Sequence, residues 1–301
     1  MTSLDVALVD YVAVRRAVGY KLDGVDGLLG RFIAHLHTSG IDTLTVTCAV
    51  EWATTTGRGG SPARRLTIIR GFARYMQALD SAHQVPPPRI LPVNRSRPTP
   101  YLYSDDDITA VMAAARRLQP AQLAATTETI IGLLWVTGMR VGEVLALNVG
   151  DFNQDSGVVT VWLSKFAKSR HVPVASSTVA ALAQYRMLQP ASDPTAAMFA
   201  TPKGRRVSYN KFAEVFAELL TDTGLITVAG GRPRIHDLRH SFAVRTLLGW
   251  YRDGTDVHAM LPRLSTYLGH VEPSSTYWYL SAAPELMALA AQRLEHHQEA
   301  Q

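Results

Sequence analysis

At 301 residues, 47% hydrophobic and 18% charged, the chain has the composition of a globular protein and exceeds what one hydrophobic core usually serves, so two domains are expected. A formal net charge of +5 and a pI near 9.4 favour a polyanionic partner. The single cysteine, Cys48, excludes an intrachain disulfide or a cysteine metal cluster, and neither a secretory signal nor an 18-residue apolar run is present, so the expected compartment is the cytoplasm and no membrane partner is expected.

Residues 1–85 alternate helical patterns with short polar breaks. Leu8, Tyr11 and Val12 fit one helix, Leu28, Leu29, Phe32, Ile33 and Leu36 a second, and residues 46–54 a third. After the loop TTTGRGGSP, the segment ARRLTIIRGFARYMQAL repeats Leu66, Ile69, Phe72 and Met76 at helical spacing. Its arginines Arg64, Arg65, Arg70 and Arg74 mostly point elsewhere, either as a solvated face or as phosphate contacts along a DNA groove. Six prolines between His83 and Pro100 rule out a helix or central strand and mark a semi-stiff linker, placed at 86–100.

Ser104 with Asp105, Asp106 and Asp107 reads as a helix start, the carboxylates serving the free N–H groups and the helix dipole rather than a metal. Residues 126–147 hold a buried run broken at Thr137-Gly138, after which Arg140 opens a helix with Glu143 one turn on as its nearest anion. GVVTVWLS and HVPVA alternate as the strands of a hairpin whose tip carries Lys165, Lys168 and Arg170. Further helices are expected near 178–188 and 209–220. Lys203, Arg205 and Arg206 in one loop, and Arg232 and Arg234 in another, form a basic rim.

In HDLRHSF, a helix places His236, Arg239 and His240 on one face and Leu238 and Phe242 on the other. That face admits three readings: an ordinary amphipathic helix, a zinc pair, which the adjacent guanidinium opposes, or a phosphate clamp. Farther on, Gly269 ends a helix beside His270, and Pro273 starts another holding Thr276, Tyr277, Trp278 and Tyr279.

TGMRVGEVLAL, HDLRHSFA and YLGHVEPSSTYWYL, in this order over residues 101–290, resemble the three signature regions of the tyrosine recombinase, or phage-type integrase, family. The resemblance implies a mostly α protein with a small β-hairpin: an N-terminal helical core-binding domain (1–85), the linker (86–100) and a mainly helical catalytic domain (101–301). It implies breakage and rejoining of double-stranded DNA at a specific site, without metal or other cofactor. Matched motif by motif, the catalytic set is Arg140, Lys165, His236, Arg239, His270 and the nucleophile Tyr279, supported by Glu143, with Lys168 in reserve for the lysine and Tyr277 for the tyrosine. A tetramer on paired sites, a nucleoid location and accessory or sister recombinases also follow from it.

The chemistry agrees. Two fixed arginines stabilise charge on the non-bridging oxygens, His236 accepts the phenolic proton, and a lysine protonates the leaving 5′-oxygen. A type IB topoisomerase-like enzyme and a DNA-binding protein that has lost the chemistry remain as alternatives. One departure from the family pattern, GWYRDGTDVHAMLPRL, predicts an enlarged loop near Asp253 and Gly254.

Overall fold

The computed structural model describes residues 3–20, 22, 24–57, 60–92, 99–162, 169–188, 193–226, 232–270, 276 and 279. The chain is mostly helical, and its compact units are Met1–Arg97 and Pro98–Gln301.

The first unit is a bundle of α1 (Leu4–Ala17), α2 (Val25–Thr38), α3 (Val46–Thr55) and α4 (Pro62–Leu79). Ser3, Thr45 and Ser61 cap α1, α3 and α4 by accepting a first-turn N–H, and Pro62 sits where no N–H is required. Leu29, Phe32, Ile33, Leu66, Ile69 and Phe72 close the core. Arg65 departs from the expected surface arginines. It is 3% exposed, and its guanidinium donates to the carbonyls of Ala53 and Gly60, tying the α3–α4 connection to α4. Arg70 donates to the Pro86 and Pro87 carbonyls at 2.8 Å each, so the proline segment begins docked on its own bundle. Arg64 and Arg74 are exposed.

The second unit comprises α5 (Asp105–Arg116), α6 (Ala121–Thr137), α7 (Val141–Ala146), a three-stranded antiparallel sheet, then α8 (Ser176–Met187), α9 (Tyr209–Asp222), α10 (Ile235–Arg252) and α11 (Val257–Leu268). The sheet order is β1 (Phe152–Asn153), β2 (Val158–Val161), β3 (Arg170–Pro173), with Val161 opposite Arg170. Strand β1 is too short to show a period in the sequence. Ser104 and Asp107 form a reciprocal capping box on α5, which uses Asp107 as expected, with Asp105 and Asp106 also in the first turn.

After HDLRHSF, α10 runs to Arg252 and residues 253–256, where a loop near Asp253 and Gly254 was expected, link it to α11, which Asp256 caps. The helical run continues because Leu247 and Val244 pack against Val257, Leu261 and Leu264 of α11. One local expectation is corrected: Arg170 is not a tip cation but starts β3 with a side chain 10% exposed.

Candidate active site

Two glycines shape the site. Gly138 ends α6 at φ +60°, and Gly269 ends α11 at φ +68°, both in the left-handed region. A Cβ on Gly138 would sit 2.4 Å from Cδ1 of Phe242, which stacks on Tyr267 at 5.7 Å. A Cβ on Gly269 would sit 2.8 Å from Nη1 of Arg170. Both positions therefore require glycine on steric as well as torsional grounds.

The helix ends expose carbonyls that arginines take up. Three consecutive carbonyls at the end of α11 each receive a different guanidinium: Tyr267 from Arg170 Nε at 2.8 Å, Leu268 from Arg239 Nη2 at 2.7 Å, and Gly269 from Arg140 Nη2 at 3.1 Å. A helix C-terminus is the negative end of its dipole and leaves its last carbonyls without intrahelical donors, so cations belong there. Arg239 also donates through Nη1 to Gly138 O at 2.8 Å.

Glu143 supplies the anion among them. Its carboxylate accepts from Arg140 Nη1 (2.8 Å), the Arg140 backbone N–H (2.9 Å), Arg170 Nη1 (3.1 Å) and Arg170 Nη2 (2.8 Å). Burial alone would raise this carboxyl; hydrogen bonds and charge from Arg170, with help from Arg140, outweigh it and hold the group at about 2.

Around the arginines stand three imidazoles and a phenol. Tyr279 is 2% exposed, hydrogen-bonds with the Arg239 side chain, and lies 5.3 Å from the His240 ring and 5.9 Å from the His270 ring, centroid to centroid. His236 meets His240 edge-on at 4.7 Å. His270 Nδ1 shares a 2.8 Å hydrogen bond with Thr276 Oγ1, a hydroxyl that is itself buried. Thr276 stands three residues before Tyr279 in the chain, so a sequence neighbour of the phenol touches the imidazole.

Partial desolvation within the cluster, reinforced by the arginines, lowers all three histidines, with His240 and His270 near 4. The neighbouring His236 also lowers His240. At neutral pH they are neutral and able to accept or relay a proton. Arg239 is brought down to about 10 by burial first and by Arg140, with Tyr279 and Glu143 opposing, so it stays charged. The cluster gathers cationic groups around a buried phenolic hydroxyl, an arrangement suited to attack on a phosphodiester.

Of the expected catalytic residues, Arg140, His236, Arg239, His270 and Tyr279 meet here with Glu143. Lys165 and Lys168 fall outside the described residues, as does Tyr277. Lys203, Arg205, Arg206, Arg232 and Arg234 are exposed, but two of them also serve the fold. Arg206 donates to the Leu145 and Leu147 carbonyls at 2.8 Å, and Arg234 pairs with buried Asp237 at 2.8 Å at the start of α10. Sequence reasoning passed over Thr276, whose spacing from Tyr279 was a usable signal, and the α11 carbonyls, which have none.

Two guanidinia beside a buried phenol form a cluster of the kind suited to phosphoryl transfer. The chain belongs to the phage integrase family, whose model matches residues 102–285. It is 37% identical over 312 residues to y4rB of Sinorhizobium fredii, named as an integrase/recombinase, covering 99% of both chains. With the tyrosine recombinase XerD of Caulobacter vibrioides it shares 28% identity over 303 residues, covering 95% of this chain and 92% of the relative. The Tn1549 transposon integrase, solved in complex with transposon right end DNA, shares the fold with a TM-score of 0.64 at 14% identity, covering 96% of this chain and 98% of that one.

Proposed function

We propose that the protein is a site-specific DNA recombinase that cleaves and rejoins strands through a 3′-phosphotyrosyl intermediate. The observation that carries this reading is the convergence of Arg140, Arg239 and Tyr279 on one cationic cluster whose arginines share the α11 carbonyl row. The Tyr279 oxygen attacks the scissile phosphorus, the P–O5′ bond breaks, and the 3′-phosphate becomes esterified to the enzyme. The phenolic proton passes to a neutral imidazole, with His236 the first candidate, and the departing 5′-oxygen takes a proton from a general acid, the role proposed for Lys165.

Arg140 and Arg239 bear the charge that builds on the non-bridging oxygens, and His270, oriented by Thr276, adds a donor. Because the phosphotyrosyl ester keeps the energy of the broken bond, attack by another 5′-hydroxyl reverses the step and exchanges strands. No other cofactor enters this cycle. The proposed partner is double-stranded DNA carrying a recombination site, engaged by four protomers on two paired sites, with sister recombinases as possible co-workers. Exposed Arg64, Arg74, Lys203, Arg205 and Arg232 are proposed backbone contacts. A cytoplasmic, nucleoid-associated place and service to a mobile element are part of the same proposal; among the described residues no helix is long and apolar enough to cross a membrane.

The test is recovery of protein-attached DNA after lysis in SDS, with sequencing of its ends, for wild type, Tyr279→Phe and Tyr277→Phe. Ends at one or a few sites, lost only with Tyr279→Phe, are expected. Loss only with Tyr277→Phe moves the nucleophile. Relaxation of any plasmid by a monomer points instead to topoisomerase chemistry, and binding with no covalent product from a nicked suicide substrate points to a silent binder.

A further inference from the structure

We propose that Arg170 is a positioning residue for strand cleavage, a role that rests on the recombinase reading: it fixes the plane of Glu143, and through Glu143 the guanidinium of Arg140, against the end of α11. Arg170 opens β3 opposite Val161 and turns inward from the sheet. All three of its nitrogens are committed, Nε to Tyr267 O at 2.8 Å, and Nη1 and Nη2 to the two Glu143 oxygens at 3.1 and 2.8 Å. It therefore has few donors to offer a phosphate, unlike Arg140, whose side chain is 27% exposed.

A two-point contact between planar groups sets orientation as well as distance, which an ammonium does not do. Each Glu143 oxygen that takes an Arg170 donor also takes one from Arg140, Oε1 from the side chain and Oε2 from the backbone. With one partner locked by β3, the carboxylate has a single orientation, and Arg140 inherits it. Arg170 also packs on Gly269, the residue whose carbonyl holds the other end of the Arg140 fork. It thus supports Arg140 from both sides without reaching the reacting atoms.

The experiment compares the full-length wild type with Arg170→Lys, Arg170→Ala and Glu143→Gln/Arg170→Ala. The probe is a nicked suicide duplex whose sequence is that of the DNA ends recovered with the wild-type protein. Single-turnover cleavage, duplex affinity and thermal melting are measured from acid to neutral pH. Arg170→Lys is expected to melt close to wild type and bind the duplex within about threefold of it, yet cleave about ten- to a hundredfold more slowly.

Arg170→Ala is expected to gain an acid limb in its cleavage rate. Glu143, still buried but without its main partner, then protonates as pH falls, whereas in the wild type it stays ionised. Arg140, Arg239, His236 and His270 face the same region in both proteins, and the double variant, which has no carboxyl there, should lack the added limb.

Wild-type cleavage by Arg170→Lys, an unchanged pH profile in Arg170→Ala, or affinity lost in step with rate would each overturn the role. If Arg170→Ala does not fold, the charge-retaining lysine variant still decides. The recombinase reading is judged separately, by the wild-type covalent adduct in the same gel.

Discussion

In the N-terminal unit Arg65 and Arg70 spend their donors on backbone carbonyls, Ala53 in the last turn of α3 and Gly60 for one, Pro86 and Pro87 for the other, and so fasten chain segments to a bundle. In the second unit Arg140, Arg170 and Arg239 also donate to carbonyls, but these lie at the ends of two helices, and Arg239 meets a buried phenol there. The same bond holds a fold together in one place and aims charge in the other. What differs is the surroundings: beside Arg239 stand three lowered imidazoles and Tyr279, a setting in need of an anion.

If this contrast is right, substitutions in the two units should fail in different ways. The largest effect is expected from Arg239→Gln, which should lower single-turnover cleavage by about a thousandfold, or about 4 kcal/mol of barrier, while duplex affinity changes far less. Equal losses of affinity and rate would reduce Arg239 to a binding contact. Arg65→Met should do the reverse. It leaves two carbonyls short of a donor and should cost about 2–3 kcal/mol of stability in denaturant unfolding, with cleavage per folded molecule unchanged.

Thr276→Val tests the contact between Thr276 and His270. Removing the 2.8 Å hydrogen bond should slow cleavage about tenfold, and Thr276→Ser should restore it; a valine variant at full rate would leave the contact structural. The remaining expectation concerns melting against pH. His240 and His270 bind fewer protons folded than unfolded, since their values near 4 lie below the ordinary 6.5. Stability should therefore hold above about pH 6.5 and fall as pH drops from there towards 4. Glu143, held at about 2 against an ordinary 4.5, adds a second loss only below about pH 4.5, amounting to about 3 kcal/mol once fully protonated. A melting temperature that is flat from pH 7 to 5 would argue against neutral, half-buried imidazoles.

Much of this molecule was legible before its structure, and the pattern of omissions has a physical basis. Helices announce themselves through spacing and caps, as with Ser61-Pro62 before α4 or Ser104 before α5. Motif residues such as Arg140 and His270 announce themselves through their neighbours in the chain. Burial of a long side chain does not. Arg65 and Arg64 are adjacent on one helix, yet one is sealed in and the other open, because only Arg65 turns its guanidinium onto the Ala53 and Gly60 carbonyls. Arg170 looked like a hairpin-tip cation because register decides which way it faces, and a strand pair fixes that only once folded.

The carbonyl row at the end of α11 has a consequence for how this chain tolerates change. Its hydrogen-bonding atoms belong to the main chain, so the side chains of Tyr267 and Leu268 have no part in accepting the arginines, whereas the length and phase of the helix are fixed. Inserting one residue into α11 would turn its last turn by about 100° and advance it by about 1.5 Å, misdirecting three guanidinia at once. Indels in α11 should therefore be far scarcer among active variants than conservative apolar substitutions at the same positions, and a scan of both kinds would read that asymmetry directly.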